Sequence, residues 1–168
     1  GLSTVAGTTT AAGTITTTAT NLDIAALVIT DATTITTGSA TGGNLAITGA
    51  VTGTSNDNLT LVSGSGTTTV GGAVGAGANI TTLTLQANVS QATGAVTFNG
   101  NVTAVTLTTF AQGHAVLLNE DAAITNDVTF LNTAGVTLGN AADDALTFTG
   151  GLSTVAGTTT AAGTITTT

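Results

Sequence analysis

An exact internal repeat constrains this chain more than any other feature of its sequence. Residues 1–18 read GLSTVAGTTTAAGTITTT, and residues 151–168 repeat the same letters without one substitution. Gly151 therefore takes the position of Gly1 in a period of 150 residues. Such periods are typical of repeat architectures, in which each unit contacts its neighbours along one axis. We expect residues 1–150 to be one full period of a tandem array, and residues 151–168 to begin the next identical period.

Short runs with apolar residues at alternate positions recur throughout the period. Alternation with a period of two predicts strands, because successive strand side chains point to opposite faces. Dense Thr, Val and Gly also disfavour helix. The runs lie at Leu22/Ile24, Leu45/Ile47, Leu59/Leu61, Leu83/Leu85, Val105/Leu107, Val128/Phe130 and Leu146/Phe148.

The spacing of these runs predicts the fold. Seven anchors in 150 residues give a mean step of about 21 residues, and further strand-like runs lie between them, at Val89, Val96–Phe98, Phe110 and Val116–Leu118. Two or three short strands per step is typical of coils that stack about 4.8 Å apart. We therefore predict an all-β chain folded as a parallel β-helix (β-solenoid) with about seven rungs per 150-residue period. Residues 151–168 should then adopt the conformation of residues 1–18, displaced along the axis by one period.

Two alternatives accompany this prediction. Tandem antiparallel β-sandwich domains share regularly spaced strands and turns, but a sandwich of 150 residues normally contains more aromatic core residues than the four Phe present here. Within the solenoid, the short step from Leu45 to Leu59 indicates either a truncated rung or two faces of one coil.

Glycines mark the predicted corners between strands. We expect them to supply positive φ angles, which tight turns require and which glycine adopts without strain. They lie at Gly42-Gly43, Gly71-Gly72, Gly94, Gly100, Gly113 and Gly139.

The charge of the chain excludes some partners. It contains no Lys or Arg and eight Asp and Glu, which gives a net charge of −8. Without cationic side chains nothing neutralises phosphates, so we expect no nucleic-acid partner and no docking on anionic membranes. No apolar run approaches the roughly 18 residues of a membrane-spanning helix. The absence of Cys excludes disulfides and thiolate metal sites.

His114 and two acidic turns are the candidates for site chemistry. His114 is the only side chain with an ordinary pKa near neutrality, and Glu120 and Asp121 follow it closely as possible partners. We interpret His114 as a solvent-exposed turn residue. The acidic turns Asn119–Asp121 and Ala142–Asp144 could offer oxygen ligands to Ca²⁺, but a solvated turn is the favoured interpretation because no calcium-binding loop motif is present.

No signature of catalysis or of a cofactor site is present, so we predict a non-enzyme with no catalytic, cofactor-binding or metal-binding residues. The four Asn-x-Ser/Thr sequons, at Asn58, Asn79, Asn88 and Asn101, are about as many as chance would produce.

Threonine runs suggest a second function. Thr8–Thr10, Thr16–Thr18, Thr33–Thr37 and Thr67–Thr69 could align as flat ladders, and such ladders resemble the ice-binding faces of some β-solenoid antifreeze proteins. The triplets do not recur at one fixed offset from the anchors.

The Asn-Leu-x-Ile/Leu rungs Asn44–Ile47 and Asn58–Leu61, with richness in Thr and Gly and few charges, carry a further resemblance. The chain resembles the β-solenoid shafts of giant repetitive bacterial surface proteins, namely filamentous-haemagglutinin-like adhesins and autotransporter passengers. It departs from them in lacking Lys and Arg and in its long, faithful period.

The resemblance implies a passive, extended role outside the cell. We expect a structural segment of a long filament that is secreted or lies at the cell surface. Its partners would be copies of itself, end to end in one chain and bundled laterally. The alternatives are a surface-binding module, for adhesion to cells or for ice, and a carbohydrate-active β-helix enzyme. The enzyme comes last because the chain has no Trp or Tyr to stack on sugar rings.

Overall fold

The chain is a right-angled stack of short parallel strands wound into a β-solenoid, as a computed structural model shows for residues 1–77, 80–87 and 91–168. Every strand pairing in this described part is parallel. This confirms the solenoid and excludes the antiparallel sandwich. The predicted run at Val89 lies outside the described residues.

Seventeen strands form the coils. They are β1 (Leu2–Thr16), β2 (Leu22–Thr36), β3 (Leu45–Ile47), β4 (Val51–Gly53), β5 (Asp57–Val62), β6 (Thr68–Val70), β7 (Ile80–Leu85), β8 (Val96–Phe98), β9 (Val102–Thr108), β10 (Val116–Leu118), β11 (Ala122–Ile124), β12 (Val128–Phe130), β13 (Val136–Leu138), β14 (Ala145–Phe148), β15 (Leu152–Thr154), β16 (Thr159–Ala161) and β17 (Thr164–Thr167).

Each coil has three sides, which we name face A, face B and face C in chain order. In the second coil all three belong to β2: Leu22–Ile24 on face A, Leu27–Ile29 on face B and Thr33–Thr36 on face C. Face A continues upward through β3, β6, β8, β10, β13 and β16. Face B continues through β4, Val74, the start of β9, β11, β14 and β17. Face C continues through β5, β7, the end of β9, β12 and β15.

The predicted anchors are strands, but they do not share one face. Leu45 and Leu59 lie on faces A and C of the third coil, so the short step between them is two faces of one coil and not a truncated rung. Likewise Leu146 lies on face B, although Val128 before it lies on face C. The alternation identifies which side chains point inward, but not the side of the coil to which they belong.

The core is one continuous column of inward-pointing aliphatic residues, which contains the buried side chains of Phe98, Phe130 and Phe148. Inward and outward residues alternate, as in Leu45–Ile47, where both ends are buried and Ala46 between them is partly exposed. Because the interior is narrow, aliphatic side chains fill it from all three faces. Among the described residues no helix is long and apolar enough to cross a membrane.

The predicted corner glycines are needed for close stacking more than for their φ angles. Of the predicted set only Gly139 has a positive φ, of 75°. At Gly94 an added Cβ would overlap the carbonyl group of Gly66 in the preceding coil, and at Gly100 it would overlap Gly72. The prediction of positive φ was therefore wrong for most of these corners, because the coils approach too closely there for any side chain.

The two copies of the 18-residue repeat are both stacked in parallel on the solenoid, but their conformations differ. Residues 2–16 form the single strand β1, with register shifts at two corners. The same sequence at residues 152–167 forms three separate strands. The expectation of a simple axial displacement was wrong, because the second copy occupies other faces of the coil.

Candidate functional site

His114 lies inside the solenoid, which corrects the interpretation of an exposed turn. It precedes β10 at the corner between faces C and A, and its side chain is fully buried. Neither Nδ1 nor Nε2 has a hydrogen-bond partner. Burial lowers the pKa of His114 to about 4, so the imidazole is neutral at pH 7. The backbone carbonyl of His114 accepts a hydrogen bond from Asn132 Nδ2 at 3.2 Å.

The structure does not bring His114 together with the nearby carboxylates. Glu120 and Asp121 are both exposed, on the other side of the β10 strand. Asp121 instead joins two coils, since its Oδ1 accepts a hydrogen bond from the backbone N–H of Ala145 at 2.8 Å. Among the described residues no group of three or more His, Asp and Glu side chains could hold a metal ion.

Two carboxylates predicted in solvated turns are in fact buried and organise the backbone. Asp144 Oδ2 accepts hydrogen bonds from the N–H groups of Asn140 and Ala141, at 2.7 and 2.8 Å. Asp57 Oδ2 accepts from the N–H groups of Thr54 and Ser55, at 2.8 and 3.1 Å. These backbone donors, those of Ser55 and then Thr54, lower the pKa of Asp57. Both side chains therefore hold turns closed.

A polar side chain closes the corner between faces C and A in most coils, and sequence analysis did not identify this feature. In each case a residue just after the face-C strand donates to a carbonyl just before face A of the next coil. We call these residues the corner donors: Thr17 to Thr20, Thr37 to Gly43, Ser63 to Gly66, Gln86 to Gly94, and Asn132 to Gly135. The signal in the sequence is a polar residue one or two positions after an apolar alternation.

Gln86 makes the most contacts of the corner donors. Its Oε1 accepts from the N–H groups of Ser63 and Gly64, at 3.0 and 3.1 Å. Its Nε2 donates to Ser63 Oγ at 2.9 Å and to the Gly94 carbonyl at 3.2 Å. One buried amide thus connects three successive coils. Backbone groups at a buried corner need partners, because an unpaired one costs about 1–3 kcal/mol.

The asparagines before the face-A strands also connect coils. Asn21 Oδ1 accepts from the Asn44 N–H at 2.9 Å, and Asn44 Oδ1 accepts from the Thr67 N–H at 3.0 Å. These two contacts explain why Asn precedes the alternation at Leu22 and Leu45. They connect one coil to the next along the axis.

Face C presents a file of threonines, although the predicted triplets do not form it. Outward-pointing Thr residues occupy the same register in the first five coils, at Thr14, Thr34, Thr60, Thr84 and Thr108. A second Thr lies two residues away in four of these coils, at Thr16, Thr36, Thr82 and Thr106. We call these nine residues the threonine file. The triplets at Thr8–Thr10 and Thr67–Thr69 lie on faces B and A instead.

Two sequons are on the described surface. Asn58 and Asn101 are exposed, and Asn101 Nδ2 lies 3.5 Å from Asp121 Oδ2. The sequons at Asn79 and Asn88 lie outside the described residues.

No cavity of ligand size is found in the described part of the chain. No protein-family model, no curated protein and no solved structure matches this sequence. The likeness to bacterial surface proteins therefore stays a prediction.

Proposed function

We propose that this chain is a non-catalytic structural segment of a long filament, secreted or displayed at a cell surface. The observation that supports the proposal is the continuity of the solenoid through the repeat boundary. Strands β15, β16 and β17 pair in parallel with β12, β13 and β14, so the second copy of the repeat extends the same stack. A rigid shaft requires such uninterrupted coils, because each coil is stabilised mainly by its neighbours.

The contacts between coils suit a load-bearing role. Backbone ladders run along three faces, and side chains such as Gln86 and Asn44 add hydrogen bonds between successive coils. The partners of this segment are copies of itself, end to end in one chain, with lateral bundling of shafts. Its placement outside the cell follows from the resemblance to bacterial surface proteins and from a composition without Lys, Arg or Cys.

Chains of one, two and three periods test this function. In a solenoid each added period contributes a new interface, so the midpoint of thermal unfolding rises with the number of periods. Circular dichroism would follow the midpoint, and electron microscopy would show rods that lengthen by about 32 Å per period at a rise of about 4.8 Å per coil. Equal midpoints for one and three periods, or a beaded outline, would contradict the filament.

A second candidate function is surface binding through the threonine file. Adjacent Thr residues repeat about every 4.8 Å along the axis and about every 6.6 Å along a strand, which presents hydroxyl and methyl groups on a regular grid. Such a grid suits an ordered surface such as ice, or a repetitive cell-surface polymer. Thr84→Lys should abolish ice shaping and thermal hysteresis, whereas Thr97→Lys, on the outer side of face A, should leave them unchanged. No thermal hysteresis in the unaltered chain would rule out ice.

A further inference from the structure

The two copies of the 18-residue repeat occupy different faces of the solenoid. Leu2 lies on face A, where it pairs with Leu22. Leu152, with identical flanking residues, lies on face C, where it pairs with Val128.

The following strands of the repeat are shifted in the same way. Thr9 pairs with Leu27 on face B, but its equivalent Thr159 pairs with Val136 on face A. Similarly, Ile15 lies on face C, and its equivalent Ile165 pairs with Leu146 on face B. Each strand of the second copy thus lies one face behind its equivalent in the first.

The shift does not turn any side chain inside out. Ile15 pairs with buried Ile35 in the first copy, and Ile165 pairs with buried Leu146 in the second. Both isoleucines pack on the same hydrophobic core. The alternation of the repeat therefore fits more than one set of faces, because all three faces accept aliphatic residues at the inward positions.

The length of the period in coils follows from these positions. Face A of the first seven coils begins at Leu2, Leu22, Leu45, Thr68, Val96, Val116 and Val136. After Val136 the chain passes face B and reaches face C at Leu152. One period of 150 residues is thus six coils and two further faces, one face short of seven coils.

We propose that each period of the array is rotated by one face relative to the period before it, and that β15–β17 are the docking surface for residues 22–36 of the next copy. This inference rests on the proposed tandem array. The occupant is a second copy of the repeat because residues 152–167 have the sequence on which residues 22–36 are already seated at β1. The register is that of Ser3 with Asp23 and of Ile15 with Ile35.

The rotation sets the symmetry of the filament. Each period advances about 32 Å, and an identical view recurs only after three periods, or twenty coils, at about 96 Å. The threonine file moves from face C to face B and then to face A in successive periods. A long array therefore presents this file in three directions and never as one continuous stripe.

Engineered disulfides test the seam in the 168-residue chain, which has no native Cys. Paired strands place Cα atoms within the range of about 4.4–6.8 Å that a disulfide requires. Thr129→Cys with Ser153→Cys should crosslink, and so should Thr137→Cys with Thr160→Cys, because both pairs are in register. Thr137→Cys with Ser153→Cys should stay open. Crosslinking of that last pair, or of none, would overturn the rotation.

Labelled arrays test the rotation over several periods. Asp143 is exposed, and Asp143→Cys in every period gives one site for a gold label per period. Labels about 32 Å apart on three sides in turn support the inference. Labels in a straight row along one side of a rod overturn the rotation and leave the filament function intact. Labels on separate beads overturn the filament function as well.

Discussion

Gln86 and Ser63 hold each other across two coils, with Gln86 Oε1 accepting from the Ser63 N–H at 3.0 Å and Gln86 Nε2 donating to Ser63 Oγ at 2.9 Å. Both residues are fully buried. The pair lies at the corner between faces C and A, where the chain turns from one coil to the next. Since aliphatic side chains cannot satisfy the backbone there, the stability of the corner depends on this amide.

Gln86→Ala should be strongly destabilising. It leaves the N–H groups of Ser63 and Gly64 and the carbonyl of Gly94 without their partner, and each buried group left unpaired costs about 1–3 kcal/mol. We expect the free energy of unfolding to fall by about 3 kcal/mol or more in urea titrations. Gln91→Ala, at an exposed position, is the matched control and should change it by less than about 0.5 kcal/mol. Similar losses for both variants would show that the corner is not held by Gln86.

Gly94→Ala should separate two coils. Its Cβ would overlap the Gly66 carbonyl, and relief of such crowding in a packed structure costs about 1–3 kcal/mol or more. Gly113→Ala is the control, because its nearest neighbour, a Thr93 methyl, would lie 3.5 Å away. Thermal unfolding of both variants measures the difference. A tolerated Gly94→Ala would mean that the coils are not so closely stacked at this corner.

Acid should destabilise the protein through His114. The pKa of His114 is lowered to about 4 in the fold from an ordinary value of 6.5, so the unfolded chain binds the proton first as pH falls. Stability is therefore complete above pH 6.5 and is lost progressively between 6.5 and about 4, with a slope of at most about 1.4 kcal/mol per pH unit. Urea titrations from pH 8 to pH 4 measure this slope.

His114→Leu isolates the contribution of the imidazole. Leu fills a similar volume and removes two buried nitrogens that have no partners, so we expect stability at pH 7 to be preserved or raised. Between pH 6.5 and 4.5 the variant should show a flatter slope than the unaltered chain. The carboxylates titrate in both proteins and cancel in the comparison. Identical slopes would place His114 in contact with solvent.

Asp57→Asn should weaken the turn that precedes β5. An amide oxygen replaces a carboxylate that accepts from two backbone N–H groups, and such charge-assisted bonds are the stronger kind. Because the folded-state pKa of Asp57 is lowered, its contribution is present above its unfolded value near 3.8 and is lost as pH falls through the folded value. The difference from the unaltered chain should therefore vanish at strongly acidic pH, and Asp127→Asn, at an exposed position, should show little difference at any pH.

The fold could be predicted because alternation and spacing are local properties of the sequence. The side of the coil could not, since corners vary in length: the step along face A is 20 residues from Leu2 to Leu22 but 28 from Thr68 to Val96. For the same reason Thr60, Thr84 and Thr108 share a register on face C that no constant offset in the sequence reveals.

The burial of corner residues was equally hidden from sequence analysis. His114 and Gln86 look like polar turn residues, and whether such a side chain points inward depends on coils above and below it that are about 20 residues away. Only the stacking of Ser63 beneath Gln86, 23 residues apart, gives the amide its partners.

The equivalence of the three faces frees the length of the repeat from the length of the coil. Because Leu2 and Leu152 both pack well, on different faces, a duplicated segment need only contain a whole number of faces to join the stack without a break. Gene duplication can therefore succeed with units that are not whole turns of the solenoid. A lineage of such proteins would lengthen or shorten by single strands while keeping a continuous core.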